Sequence, residues 1–387
     1  MNATHNPVAA REQKSQVRPF RVAILCDFVE ESWPSMDLVG DMLYSHLQSA
    51  HAGKIHAKQI RPRMSGLFSN GSKPARLYGR FVQYPGFIAK IRSEYDIFHI
   101  VDHSYSQLVH YLPANRTIVT CHDVDTFRSI LLPEEEPRSA PFRAMTRRIL
   151  SGMQKAAQVV CASEATRQSI LHHKLVPEER LSVVRNGVHP VFRAEADSAS
   201  DNELARLLNR TATAVPELLH VGSTIPRKRI DVLLNVFAKV QKQLPEVRLL
   251  RVGGAFSAEQ EKLAQKLRIS NCIDVLPRLE PRLIAAAYRR AACTLLTSEA
   301  EGFGLPVIES LACGTPVIAS DVPALREVGG SVTRFCRVGD IDEWTQAVAS
   351  EIATNRDPAA FIGHAANFSW TQYAIAMADL YQQVLAP

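Results

Sequence analysis

Short, nearly continuous apolar runs alternate with amphipathic stretches along most of this chain, and the two periods separate strands from helices. Residues 21–28 (R-V-A-I-L-C-D-F) read as a buried strand, and 36–50 repeat Leu38, Met42, Leu43 and Leu47 at helical spacing. Further strands are expected at 97–101, 117–120, 158–162 and 180–184, with a helix at 166–171. A second series opens with a strand at 218–222 and a helix striped by Val232, Leu233, Val236, Phe237 and Val240. Strands at 248–254 (with its turn), 272–276, 294–297 and 317–319 follow, with helices at 258–267 and 283–290. Buried runs joined by amphipathic helices predict α/β, doubly wound parallel sheets whose ligands lie beyond the carboxyl ends of the strands. A polar stretch at 194–214, with a short helix at 202–209, follows a boundary near 189–196. The expected division is 19–190 and 191–365, after a disordered tail at 1–18. Residues 366–387 close the chain, with Trp370, Tyr373, Met377, Leu380, Tyr381 and Val384 on one helical stripe.

Composition narrows the class. With 46% hydrophobic and 22% charged residues in 387, the chain is ordinarily globular and long enough for two or three domains. No apolar run approaches the roughly 20 residues that span a bilayer, and no signal-peptide core opens the sequence. The seven cysteines lack metal or redox spacing. Cys26, Cys121, Cys161 and Cys293 lie in apolar runs and read as reduced core residues of a cytoplasmic protein, with no metal site and no cofactor expected. A formal charge of +6 favours anionic partners, either phosphates or lipid. Nucleic acid is not expected, because the basic residues are not gathered in one module. Residues 72–92 interleave Lys73, Arg76, Arg80, Lys90 and Arg92 with Leu77, Tyr78, Phe81, Tyr84, Phe87 and Ile88. That mixture suits peripheral contact with a membrane surface, an anionic acceptor or a single strand. The plainer expectation is a helix packed on the sheet with its arginines in water, broken at Pro85-Gly86.

The candidate chemistry gathers in residues 293–321. A strand there empties into a glycine-bearing loop, 298–304, and then into a helix with Pro306 in its first turn and Gly314 just past its end. A helix start carries unpaired N–H groups and partial positive charge, which suits phosphate, and the flanking carboxylates Glu301 and Glu309 suit sugar hydroxyls. Phosphate beside sugar describes a nucleotide sugar. Earlier, Arg227-Lys228-Arg229 precede a helix start, where cations are disfavoured unless an anion neutralises them. His122 and Asp123 stand at one strand end and His103 at another.

Glu301 and Glu309, enclosing G-F-G-L-P within G-F-G-L-P-V-I-E-S-L-A-C-G-T-P-V-I-A-S-D, resemble the paired-glutamate signature of the retaining family 4 (group 1) glycosyltransferases. The resemblance runs through most of the chain after Arg21, most closely over 218–321. It implies two Rossmann-like domains facing across a cleft (GT-B): acceptor-binding first, nucleotide-sugar-binding second, with the terminal helix packed back on the first. It implies metal-independent transfer with retention, from a UDP- or GDP-hexose to a glycan, glycolipid or lipid-linked acceptor of cell-envelope or exopolysaccharide synthesis. By the same resemblance Lys228 neutralises the diphosphate, Glu301 and the backbone of Phe303, Gly304 and Leu305 orient the sugar, and Glu309 holds ribose hydroxyls. Gly222 and Arg278 lie at donor-binding positions, His122 near the reacting sugar and His103 toward the acceptor. Two departures stand out. Residues 30–37 (E-E-S-W-P-S-M-D) replace a glycine-rich first loop, and Ser223 stands where the family usually has arginine, so that Arg227 or Arg229 replaces its charge or one phosphate contact is lost. An epimerase of the same architecture, or a non-catalytic nucleotide-sugar or membrane-surface binding protein, is the alternative.

Overall fold

The computed structural model describes residues 19–31, 33–50, 53–64, 72–210, 215–354 and 357–386; the tail expected at 1–18 lies outside them. Two parallel six-stranded sheets carry the fold. The first holds β1 (Phe20–Leu25), β2 (Ile55–Ile60), β3 (Ile97–Ile100), β4 (Thr117–Cys121), β5 (Gln158–Cys161) and β6 (Leu181–Val183), in the order β2-β1-β3-β4-β5-β6. The second holds β7 (Glu217–Val221), β8 (Arg248–Val252), β9 (Ile273–Leu276), β10 (Cys293–Leu296), β11 (Val317–Ser320) and β12 (Arg334–Cys336), in the order β12-β11-β10-β7-β8-β9. Apolar clusters fill both faces of each sheet, which is why the central strands read as unbroken hydrophobic runs. The unanticipated strands, β2 and β12, lie at sheet edges. In β2 (I-H-A-K-Q-I) burial alternates, as a half-solvated edge requires, so no continuous run marks it. All seven cysteines are free, and six of them are buried.

The orders place a topological switch point in each sheet, between β1 and β3 in the first and between β7 and β10 in the second. There successive connections leave in opposite directions and open a crevice at the carboxyl ends of the strands. The final helix, Trp370–Leu385, lies on the helix Pro34–Ala50 and the first sheet. It buries Trp370, Tyr373, Met377 and Tyr381 against Val22, Ile24 and Leu43. The Tyr381 hydroxyl is 2.7 Å from Nδ1 of buried His99, whose Nε2 is 2.7 Å from the Thr120 hydroxyl.

Residues 72–92 correct two expectations. Pro85-Gly86 does not break the helix. Lys73–Tyr78 passes through a π turn, Gly79–Gln83, directly into Tyr84–Ile91. The wider turn bonds the Tyr84 N–H to the Gly79 carbonyl, and Pro85 falls in the first turn of the following segment, where no N–H is needed. Nor does Arg80 sit in water. It pairs with buried Glu31 and lies 4.2 Å above the Tyr105 ring. Leu77, Tyr78, Val82 and Phe87 remain exposed.

Candidate functional site

The switch point of the second sheet brings two loops together. The first leaves β7 as Gly222–Ile225, makes a tight turn at Pro226–Lys228 and enters the helix Ile230–Gln243 through Arg229. Arg229 adopts φ 47°, an uncommon left-handed conformation for a branched-free but bulky side chain. The second loop leaves β10 and laces onto that turn. The Thr297 hydroxyl donates to the carbonyls of Lys228 (3.0 Å) and Arg229 (3.2 Å), and the Glu299 N–H donates to the Arg227 carbonyl at 2.9 Å. The loop then passes Glu301 and turns at Gly304 (φ 101°) into the helix Leu305–Ala312. A Cβ at Gly304 would meet the Leu325 side chain at 2.6 Å, so both conformation and space call for glycine. Pro306 in the first turn and Gly314 at φ 77° bracket the helix as its sequence predicts.

Within this corner Lys228 Nζ lies 2.5 Å from Glu301 Oε1, and the Ser298 hydroxyl donates to the same oxygen at 2.7 Å. Arg227 reaches Asp125 (3.1 Å), Asp123 (3.5 Å) and Glu301 (3.9 Å), while Arg229 pairs with Asp231 (2.9 Å) and Glu299 (3.4 Å). The sequence conflict of three cations before a helix start is therefore met by carboxylates of the chain itself, and needs no bound anion to explain it. Among the described residues, the N–H groups of Gly304 and Leu305 have no hydrogen-bond acceptor. Glu309, one helical turn further on, accepts from the Tyr288 hydroxyl at 3.0 Å. Withdrawal from water pushes its carboxyl up to about 7. Gly222 and exposed Ser223 follow β7, and Arg278 lies exposed after β9 with a favourable electrostatic interaction with Asp37 of the first unit.

The first sheet faces this corner across the cleft. His122, at the end of β4, donates from Nε2 to the Val101 carbonyl at 2.7 Å. Burial lowers its pKa, which keeps the ring neutral and Nδ1 an acceptor. A Cβ on Gly302 would come within 1.8 Å of the His122 carbonyl, so the two units touch there with no room to spare. Ser163 (2.6 Å) and Thr166 (3.1 Å) both donate to the Gly302 carbonyl. Beside His122, the His103 ring contacts the Thr126 hydroxyl at 3.0 Å. The β1–β3 switch point adds what the sequence did not signal, namely buried Asp27 and Asp102. Burial, with Asp102 adjacent, pushes the Asp27 carboxyl well up. Despite its own burial, Asp102 is held low by His103 and Ser104. Asp125 and Tyr288 were likewise not legible. A loop aspartate and a helical tyrosine carry no pattern until the fold sets them beside Arg227 and Glu309. A cavity of about 620 Å³ lies between the helices Glu164–His172 and Pro323–Gly329 and is lined by none of the site residues named above.

Two doubly wound sheets meeting at their switch points define the GT-B architecture, and comparison with known proteins agrees. The chain matches the models of "Glycosyltransferase Family 4" over residues 50–192 and "Glycosyl transferases group 1" over 209–367. It is 30% identical over 315 residues to the D-inositol 3-phosphate glycosyltransferase of Mycolicibacterium paratuberculosis, covering 75% of this chain and 67% of that one. The Mycolicibacterium smegmatis counterpart is 28% identical over 279 residues, with 69% of this chain and 62% of the relative's length covered. Sucrose-phosphate synthase from Thermosynechococcus elongatus superposes with a TM-score of 0.73 at 20% identity, covering 94% and 98% of the two chains. Anabaena HepE, solved with UDP and glucose, gives 0.68 at 16% over 94% and 99%. The chain belongs to the family 4, group 1 glycosyltransferases. It spans a little under two thirds of the length of several curated relatives it matches, 62% for the M. smegmatis protein.

Proposed function

We propose that this protein is a metal-independent, retaining glycosyltransferase. It moves a hexose from a UDP- or GDP-sugar to a glycan, glycolipid or lipid-linked acceptor of cell-envelope or exopolysaccharide synthesis. The observation that carries this reading is Lys228 held 2.5 Å from Glu301, in the loop that opens onto the unpaired N–H groups of Gly304 and Leu305. As the bond from the anomeric carbon to the phosphate oxygen breaks, charge grows on the diphosphate. Lys228 and the helix start meet that charge with preorganised positive potential. The acceptor hydroxyl attacks from the same face, forms the new carbon–oxygen bond and gives its proton to the departing phosphate oxygen. Glu301 and the backbone at Phe303–Gly304 orient the hexose. His122 Nδ1 accepts from a sugar hydroxyl, and Glu309 accepts from the ribose. The acceptor enters past His103 and the first sheet. UDP-glucose is the first donor to test, because HepE is solved with it. A phosphorylated polyol belongs among the acceptors because of the curated relatives' names. The exposed row Leu77, Tyr78, Val82 and Phe87 is the surface for peripheral membrane contact. Among the described residues no helix is long and apolar enough to cross a membrane.

The test couples donor screening to one variant. A nucleotide sugar should raise the melting temperature, and the product linkage read by NMR should keep the donor's anomeric configuration. Lys228→Ala should lower transfer about a thousandfold while the protein stays folded. An epimerised sugar formed without acceptor, or full transfer by Lys228→Ala, would overturn the reading.

A further inference from the structure

The arginine that the family usually places after the β7 glycine is replaced by Ser223, and the nearby Arg227 and Arg229 side chains are turned onto Asp125 and Asp231. A different arginine reaches this place from beneath. Arg251, in β8, pairs in register with His220 of β7 and is fully buried. Its guanidinium donates to the Gly222 carbonyl at 2.7 Å and to the Gly254 carbonyl, so it bridges the loops that follow β7 and β8. Its Nε has no hydrogen-bond partner, and no Asp or Glu pairs with it among the described residues. Burial with no carboxylate to offset it lowers its pKa to about 10, so it stays charged at neutral pH. Lys228 converges on the same spot, with Cε about 4.0 Å from where a Cβ of Gly222 would sit. Buried His220 is held neutral between the two cations, its pKa lowered by burial and then by Arg251 and Lys228.

The geometry of the two bridged peptides gives this buried charge a use. Every described peptide bond is trans, so each N–H points away from its own C=O. Arg251 takes the carbonyls of the Gly222–Ser223 and Gly254–Ala255 peptides, which turns the Ser223 and Ala255 N–H groups to the side away from the guanidinium. Neither N–H has an acceptor among the described residues. A cation on the carbonyl side polarises both peptides and strengthens their N–H groups as donors to an anion. The glycines permit the clamp. Gly253 (φ 129°) and Gly254 (φ 104°) adopt conformations that favour glycine, and a Cβ on Gly253 would lie 2.0 Å from the Gly222 carbonyl oxygen.

We propose that Arg251 is a positioning residue for the donor diphosphate: by gripping the Gly222 and Gly254 carbonyls it presents the Ser223 and Ala255 N–H groups to the phosphates, in place of the arginine side chain that Ser223 lacks. The inference rests on the donor reading above, and the ligand class it addresses is a nucleoside diphosphate.

The test compares a nucleoside diphosphate with its monophosphate, using whichever of UDP, GDP and ADP stabilises the wild-type protein most. In Arg251→Met the dissociation constant for the diphosphate should rise at least about tenfold, with little change for the monophosphate. Arg251→Lys should fall between, and adding Ser223→Arg to Arg251→Met should recover most of the loss. Equal weakening of both nucleotides would mean that Arg251 only holds the loops, and an unchanged diphosphate constant would mean that it does nothing for the ligand; either overturns the proposal. Should Arg251→Met fail to fold, Ser223→Pro deletes one N–H while leaving Arg251 in place. It should show the same selective loss, and unaltered diphosphate binding there counts against the proposal. If no nucleoside diphosphate binds the wild-type protein, the donor reading itself falls, an outcome distinct from a wild type that binds and variants that bind equally.

Discussion

Glu309 sits where its charge state is sensitive to pH. Desolvation raises its carboxyl to about 7, and the Tyr288 hydroxyl is its one hydrogen-bond donor among the described residues. A raised acid is protonated below that value, and a protonated carboxyl has lost half its capacity to accept from hydroxyls. Donor affinity should therefore weaken as pH falls from 8 to 6, by up to about tenfold per unit below the transition. Glu309→Gln should bind weakly at pH 8 and show a flat profile. Calorimetric titration across that range checks both; a flat wild-type profile with unimpaired Glu309→Gln removes the residue from the donor site. Lys228 differs in kind. It acts on the leaving diphosphate rather than on the ribose, so Lys228→Ala should depress the transfer rate more than donor affinity.

At the level of elements, the segment Lys73–Ile91 shows how neighbours rewrite a local rule. Pro85-Gly86 ends a helix in isolation, but a π turn absorbs the proline, and the Glu31–Arg80 pair over Tyr105 pins the turn to the first sheet. Arg80 thereby leaves the solvent face, where Leu77, Tyr78, Val82 and Phe87 stay exposed beside Arg76 and Lys90. If this face meets lipid, the protein should float with vesicles containing about 30% anionic lipid at low salt and release as salt rises. Replacing Leu77, Val82 and Phe87 by Ser should abolish flotation and spare transfer to a soluble acceptor. Equal flotation by the triple variant would place membrane contact elsewhere. The loop before the helix Leu305–Ala312 depends on neighbours in another way: its glycines allow the backbone turn, and the register of β7 against β10 sets it beside Lys228.

In the whole molecule, the two sheets are joined at the cleft through a small set of polar contacts. Ser163 and Thr166 hold the Gly302 carbonyl, Arg227 spans to Asp123 and Asp125, and Arg185 pairs with Glu327. Ser163→Ala with Thr166→Val should cost about 1–3 kcal/mol of interdomain contact, open the cleft and lower the transfer rate with little loss of secondary structure. Small-angle scattering should show a larger radius of gyration, and an unchanged radius with unchanged rate would deny the clasp a role. Much of the architecture could be read directly. Central strands buried on both faces must be apolar throughout, and helices covering a sheet must repeat every 3.6 residues, so both patterns are written locally. The strand–loop–helix around Glu301 and Glu309 was legible for the same reason, since glycine, proline and the helix start act within a few residues. Edge strands β2 and β12 escaped because solvent satisfies one face and breaks the run. Partnership escaped too: Arg227 with Asp125, Glu309 with Tyr288, and Arg251 with the Gly222 and Gly254 carbonyls. The order of residues alone thus determined the central strands, the helices that cover them and the glycine–proline loop opening onto the helix Leu305–Ala312, because those depend on short-range sterics and periodicity. Only the tertiary structure decided which charges are neutralised and which is left buried without a carboxylate, because electrostatic pairing and desolvation depend on distances between residues far apart in the chain.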